Sequence, residues 1–200
     1  MPQKVIFDLG GVLIDWNPRY LYRKLFDDES AMEHFLATVC TPQWNEQQDA
    51  GRPITEAVAQ LTAQWPRQAA LITAYYDRWT EMVGGPMTET VDVLAALHQR
   101  KVPLWALTNW SAETFPFVLE RYDFFGWFQG IVVSGHEKMK KPDRRIYQVL
   151  LDRYNITPNH AVFIDDNPAN VAAAREVGLH GLQFTTAQAL SRELEGLGLL

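Results

Sequence analysis

Short apolar runs alternate with stretches of helical periodicity along most of the chain. The runs are Val5-Ile6-Phe7, Pro103 to Leu107, Gly130 to Val133, Ala161 to Ile164 and Gly181 to Phe184, and a helix-like pattern follows each of the last four. Such runs, bounded by turns and separated by helices, predict βαβ units and a parallel sheet. From about Pro18 to Tyr76 the pattern is helical throughout, with no convincing strand. There, Ser30 to Glu33 reads as a capping box, Arg52-Pro53 with Thr55-Glu56 suits a second helix start, and Val58, Leu61 and Trp65 recur on one helical face. Gly84-Gly85-Pro86 is expected to break the chain before a helix over Thr88 to Arg100. Further on, Ser111, Pro142 and Pro168 suit helix starts, Gly178 a helix end, and Thr185 to Gln188 a last capping box. The expected fold is α/β. A doubly wound, Rossmann-like parallel sheet forms a core from residues 1–15 and 84–200, and an all-helical segment, residues 16–83, is inserted after the first strand.

Polar residues gather where the predicted strands end. Asp8 follows Val5-Ile6-Phe7 and precedes Leu9-Gly10-Gly11, Thr108-Asn109 follows Leu104 to Leu107, and Asp165-Asp166 follows Val162-Phe163-Ile164. The carboxyl ends of the strands of a doubly wound sheet open into one crevice, so these residues should converge there, with Lys141 within reach. Carboxylates packed together repel unless a cation or protons intervene. Oxygen ligands with open positions suit Mg²⁺, which is held by few carboxylates, waters and a phosphate oxygen. A hydroxyl and an ammonium suit the remaining phosphoryl oxygens, and a carboxylate beside the metal can attack phosphorus. Gly10 and Gly11 let the backbone turn tightly and bring amides close to an anion. Taken singly, Asp8 reads as turn chemistry and Lys141-Pro142-Asp143 as a solvated helix start. The ordered set points to phosphoryl chemistry on aspartate.

Composition narrows the classes. With a formal net charge of −6, the chain has no electrostatic reason to bind nucleic acid or an anionic membrane. A single cysteine, Cys40, excludes an internal disulfide framework and a cysteine zinc cluster. The first apolar stretch is interrupted at Asp8, and no later stretch approaches the ~18 apolar residues of a membrane span. A cytoplasmic protein is expected, as a monomer or homodimer, whose partner is a small phosphorylated metabolite.

The stretches VIFDLGGVL, LTNWS, KKPDRRIY and VFIDDNPANVAAAREVG resemble the four ordered motifs of the haloacid dehalogenase superfamily of hydrolases. Within it the chain is similar to sugar-phosphate phosphatases of the α-glucose-1-phosphate kind and to epoxide-hydrolase-like phosphatases. The resemblance implies that residues 16–83 form an α-helical cap and that Mg²⁺ is the cofactor. It implies Asp8 as nucleophile and metal ligand, with the Gly10 carbonyl as a second ligand. Thr108 and the Asn109 amide would hold phosphoryl oxygens, and Lys141 would neutralise charge. Asp166 would be the direct metal ligand of the acid pair, with Asp165 beside it. Most phosphatases of this superfamily carry an aspartate two residues after the nucleophile as general acid and base. Here Gly10 stands there, and Asp15 is a candidate to replace it.

The expected activity is hydrolysis of a small phosphorylated metabolite, a sugar phosphate, through an aspartyl-phosphate on Asp8. One alternative is a hydrolytic 2-haloacid dehalogenase with Asp8 attacking carbon, although that branch typically lacks the acid pair. Another is a weakly catalytic phosphate-binding protein on the same fold. A receiver-type signalling module is disfavoured, because its acid pair lies on the first strand. Inside the expected cap, Trp44, Asn45, Gln47 and Asp49 are specificity candidates, with Trp44 taken as a substrate contact. Trp16 and Trp110 are read as packing residues beside the first two motifs.

Overall fold

A computed structural model describes residues 3–200, so Met1 and Pro2 of the expected core lie outside the described residues. Five strands form one parallel sheet: β1 (Lys4–Phe7), β4 (Leu104–Thr108), β5 (Gly130–Val133), β6 (Ala161–Asp165) and β7 (His180–Gln183), in the order β5-β4-β1-β6-β7. These are the five predicted runs. β4 and β6 are buried at every position, as expected of parallel strands covered on both faces. The alternation of side chains along β1 feeds two cores. Val5 and Phe7 join one apolar cluster, and Ile6 joins another with Leu107, Phe163, Ile146 and Leu150.

The order of strands places the site. β1 is central, with β4 on one side and β6 on the other, so the chain reverses direction of winding at β1. Phe7 pairs with Ala106 and with Ile164, and one step further along brings Asp8 level with Asp165.

A second, two-stranded ribbon was not expected. β2 (Ile14–Trp16) pairs antiparallel with β3 (Val83–Pro86), with a register shift between Asp15 and Trp16. Gly84-Gly85-Pro86 is therefore a strand and not only a break. Two glycines and a proline carry no strand propensity, so only pairing with β2 makes this segment extended. The Trp16–Val83 pair ties together the two ends of the helical segment. Between them lie α1 (Arg19–Tyr22), α2 (Glu29–Thr38), α3 (Pro42–Asp49), α4 (Ile54–Gln64) and α5 (Ala69–Asp77). Their apolar faces, through Leu21, Tyr22, Phe35 and Tyr75, and Trp79 in the turn after α5 continue the cluster that holds Val5 and Phe7.

The remaining helices are α6 (Thr88–Gln99), α7 (Phe115–Leu119), α8 (Ser134–Glu137), α9 (Arg144–Arg153), α10 (Pro168–Glu176) and α11 (Ala187–Gly196). Several starts differ from the expected ones. Asp28 caps α2, accepting the Ser30 and Ala31 amides at 3.1 and 3.3 Å, so Ser30 already lies inside the helix. Thr186, not Thr185, caps α11. α7 is only the last part of the expected helix, because Ser111 Oγ accepts the Glu113 amide in a turn that precedes it. On α4, Ala57 and Leu61 are buried, while Trp65 ends the helix exposed. Among the described residues no helix is long and apolar enough to cross a membrane.

Candidate active site

Lys141 is the centre of the site and is almost completely buried. Its Nζ donates to the Leu107 carbonyl at 2.9 Å and to Asp165 Oδ2 at 2.6 Å, and lies 2.9 Å from Asp8 Oδ2. All three ammonium protons are thereby used. Burial alone would lower the Lys141 ammonium, yet the two carboxylates hold it above its ordinary value. The loop that carries it is fixed by Asn109, whose Nδ2 donates to the Lys141 carbonyl at 3.0 Å and whose Oδ1 accepts the Lys141 amide at 2.8 Å.

Asp8 leaves β1 with its amide donated to the Ile164 carbonyl and its Oδ1 accepting the Leu9 amide at 2.7 Å. Burial pushes its carboxyl well above the usual carboxylate range, against the pull of Lys141 and with Asp165 adding to the rise. Asp165 is fully committed. Its Oδ1 accepts the Asn167 amide at 2.9 Å and Asn170 Nδ2 at 3.0 Å, and its Oδ2 accepts Asn170 and Lys141. Asp166 is exposed and lines the cleft, its carboxyl raised by burial and by Asp165. The two neighbouring acids are thus divided, one spent inside the protein and one facing outward.

Gly11 adopts φ +74°, and a Cβ there would lie 2.8 Å from Asp166 Oδ2. Only glycine meets both conditions. Its amide, however, donates to the Ile14 carbonyl at 2.9 Å, which corrects the expectation that this amide faces an anion. Gly11 lines the cleft by leaving room for Asp166. Thr108 ends β4 fully buried, and its Oγ1 has no hydrogen-bond partner. A buried hydroxyl without a partner is costly unless a ligand completes it.

The cleft has a volume of about 340 Å³. Asp8, Gly10, Gly11, Asn109 and Asp166 line its floor, as the sequence led one to expect. Its walls come partly from the helical segment: Asn45 and Asp49 of α3, Tyr76 of α5, and Trp79. Trp16 and Trp110, read from sequence as packing residues, line it too. Trp79 meets Trp110 edge-on at 5.7 Å, an aromatic contact between the helical segment and the core. Tyr76, Trp79 and Asn170 went unrecognised in the sequence. Asn170 had one signal, an amide side chain on the otherwise apolar buried side of α10.

Two expectations are corrected. Trp44 is not part of the cleft lining, and Gln47 is absent from it as well. Trp44 is buried edge-on against Tyr75 at 5.1 Å and beside Tyr76 at 5.5 Å, packed inside the helical segment behind the cleft-lining Tyr76. Trp44→Ala should therefore cost about 3–5 kcal/mol in denaturant unfolding. Trp44→Phe, which keeps an aromatic ring in the packing, should leave KM unchanged, and a raised KM would reinstate the substrate contact. Asp15 does not reach the cleft either. It accepts Tyr20 Oη at 2.6 Å, packs onto Gly84, and lines a separate hollow with Met87 and Phe184.

Asp8, Asp165 and Asp166 each offer a ligand oxygen within 4.8 Å of the others. Three carboxylates face one ammonium, an excess of negative charge that a divalent cation would cancel. Oxygen donors alone, with no histidine or cysteine among them, are the donor set of a hard cation such as Mg²⁺.

Comparison with known proteins agrees with this architecture. The chain is 28% identical to a sesquiterpene phosphatase of Aspergillus oryzae over 96% of its length and 94% of that protein. It is 25% identical to a validoxylamine A 7′-phosphate phosphatase of Streptomyces hygroscopicus subsp. limoneus, over 93% of this chain and 87% of the other. Among solved structures, the magnesium complex of a haloacid dehalogenase family enzyme from Bacteroides thetaiotaomicron superposes with a TM-score of 0.72. It covers 96% of this chain and 98% of its own at 21% identity, a likeness of fold. With the haloacid dehalogenase-like hydrolase model matching residues 4–178, the chain belongs to that family of hydrolases.

Proposed function

We propose that the protein is a Mg²⁺-dependent phosphomonoester hydrolase acting on a small phosphorylated metabolite, a sugar phosphate, through an aspartyl-phosphate on Asp8. The observation that carries this reading is the Asp8–Lys141–Asp165 arrangement with Asp166 beside it and the unpartnered Thr108 hydroxyl at the end of the neighbouring strand. The phosphatases among its relatives support the same reaction class.

Asp8, the Gly10 carbonyl and Asp166 would hold Mg²⁺, with Asp165 held back by its four protein contacts. When bound, the ion neutralises charge on the phosphoryl oxygens. Asp8 is oriented by the Leu9 amide and by Lys141, so its carboxylate is positioned before substrate arrives. It attacks phosphorus, the bond to the alcohol oxygen breaks, and an acyl phosphate forms. Water then attacks phosphorus, the bond to Asp8 breaks, and phosphate leaves. Lys141 neutralises charge on nucleophile and phosphoryl group, while Thr108 and the Asn109 amide receive phosphoryl oxygens.

Residues 16–83 act as the cap that closes the cleft and reads the alcohol. Aromatic faces from Trp16, Tyr76 and Trp79 suit the apolar face of a sugar. The test is phosphate release from a panel of sugar and other metabolite phosphates. Release is expected with Mg²⁺, lost in EDTA and regained when Mg²⁺ is restored; release that persists in EDTA would sink the metal-dependent reading.

A further inference from the structure

Gly10 has no side chain, so no proton donor for the leaving alcohol stands two residues after Asp8. Asp15, on the strand that follows, is turned away onto Tyr20. Among the described residues lining the cleft, the carboxylates are Asp8, Asp166 and Asp49. The first two belong to the nucleophile and metal set. Asp49 comes from the opposite wall, at the end of α3.

Its position is the second observation. A further cavity of about 680 Å³ runs beneath the helical segment, past Leu36, Ala37, Cys40 and Tyr75, and it shares Trp16, Asn45, Asp49 and Asn109 with the cleft. Asp49 thus stands where the phosphate end opens into the space available to the alcohol. An ester bound with phosphorus at Asp8 and its alcohol in that cavity carries its bridging oxygen past this junction.

The side chain is held there. Arg52 Nε donates to Gln48 Oε1 at 2.7 Å, Gln48 Nε2 donates to Tyr76 Oη at 3.0 Å, Tyr76 Oη donates to Asn45 Oδ1 at 3.0 Å, and Asn45 Nδ2 donates to Asp49 Oδ2 at 3.1 Å. From the core, Ser134 Oγ donates to the Asp49 carbonyl at 2.5 Å and accepts the Trp110 amide at 2.9 Å. Gly51 allows this approach, since a Cβ there would lie 3.0 Å from the Gly135 carbonyl. The polar chain holds the carboxyl through Asn45, and the core serine anchors the backbone that carries it.

We propose that Asp49 is the general acid and base of this enzyme, giving its proton to the alcohol oxygen as the phosphorus–oxygen bond breaks. The carboxylate left behind takes a proton from the water that attacks the acyl phosphate, which restores the carboxyl. The inference rests on the phosphatase reading above. Burial, with Glu46 adding to it, pushes the Asp49 carboxyl up to about 7, against Lys140 from the core loop. Tyr75 and Tyr76 also face it and stay neutral, since burial raises both hydroxyls. A group that titrates near neutrality is suited to both halves of such a reaction.

The experiment compares wild type, Asp49→Asn and Asp49→Glu in Mg²⁺ with n-butyl phosphate and p-nitrophenyl phosphate as probes. An alkoxide needs a proton to leave, whereas p-nitrophenolate does not. Asp49→Asn should lose about 10²–10³-fold in kcat on the butyl ester. The loss on the nitrophenyl ester should be at least about tenfold smaller, and Asp49→Glu should recover part of the butyl activity. Wild-type turnover of the butyl ester should also fall as pH rises through about 7, where the donor loses its proton. Equal losses on both esters in a variant with unchanged melting would make Asp49 a structural residue, and no loss on either would place the donor elsewhere. If wild type releases no phosphate with Mg²⁺ from either probe or from the metabolite panel, the phosphatase reading itself fails and the inference falls with it.

Discussion

Asp8→Asn should abolish Mg²⁺-dependent phosphate release while leaving the protein folded. Asparagine keeps the shape and an oxygen that accepts the Leu9 amide, but it cannot form the acyl phosphate. A loss of about 10⁴-fold or more is expected, as when other covalent nucleophiles are removed. The variant should melt no lower than wild type in the absence of metal. It removes one of three carboxylates that crowd a single ammonium, and like charges at this distance repel. Wild-type turnover in the variant would show that Asp8 does not attack phosphorus. Lost activity together with a lower melting point would assign Asp8 a structural task instead.

Lys141→Met should lose both activity and stability. The ammonium joins the Leu107 carbonyl, Asp165 and Asp8 across the ends of three adjacent strands. Methionine fills much of the same volume but leaves two buried carboxylates with no cation. Breaking a buried ion pair from one side costs about 3–5 kcal/mol, most of it the penalty of the uncompensated charge. Denaturant unfolding at neutral pH checks this figure. The sign with pH follows from the raised pKa of Lys141: its contribution is complete below the ordinary lysine value and fades only as pH rises beyond it. Adding Mg²⁺ should return part of the lost stability, because an ion bound only to the folded state shifts the equilibrium toward it. An unchanged unfolding midpoint would mean that the carboxylates are neutral without the ammonium.

The floor of the site was legible because each residue there sits at a fixed place in the strand pattern. Asp8, Thr108 and Asp165 end apolar runs, and parallel strands deliver their ends to one edge. Lys141 and Asp166 follow from the same motifs. The walls were legible only in part: Asn45 and Asp49 stood among the specificity candidates and line the cleft, whereas the aromatic walls were not foreseen. Tyr76 and Trp79 belong to helical stretches where an aromatic residue reads equally as core or as cleft, and only packing separates the two. Trp44 shows the same ambiguity with the opposite outcome. Gly11 was correctly placed beside the site, but the hydrogen bond of its amide to Ile14 depends on a turn that local pattern does not specify.

Hydrophobic periodicity and the order of the motifs determined, by themselves, the five parallel strands, a run of helices after the first strand, and the set of groups at the sheet edge. Those features arise from short-range pattern, since a buried parallel strand must be apolar and its end must be polar wherever it meets a ligand. The β2–β3 ribbon, the division of labour between Asp165 and Asp166, the removal of Asp15 from the cleft and the hydrogen bonds that anchor Asp49 were decided only by the tertiary structure. Each depends on a contact between residues far apart in the chain, such as Trp16 with Val83 or Asp49 with Ser134. A side chain's neighbours across such a contact are set by packing and hydrogen bonding in three dimensions, and no local pattern encodes them.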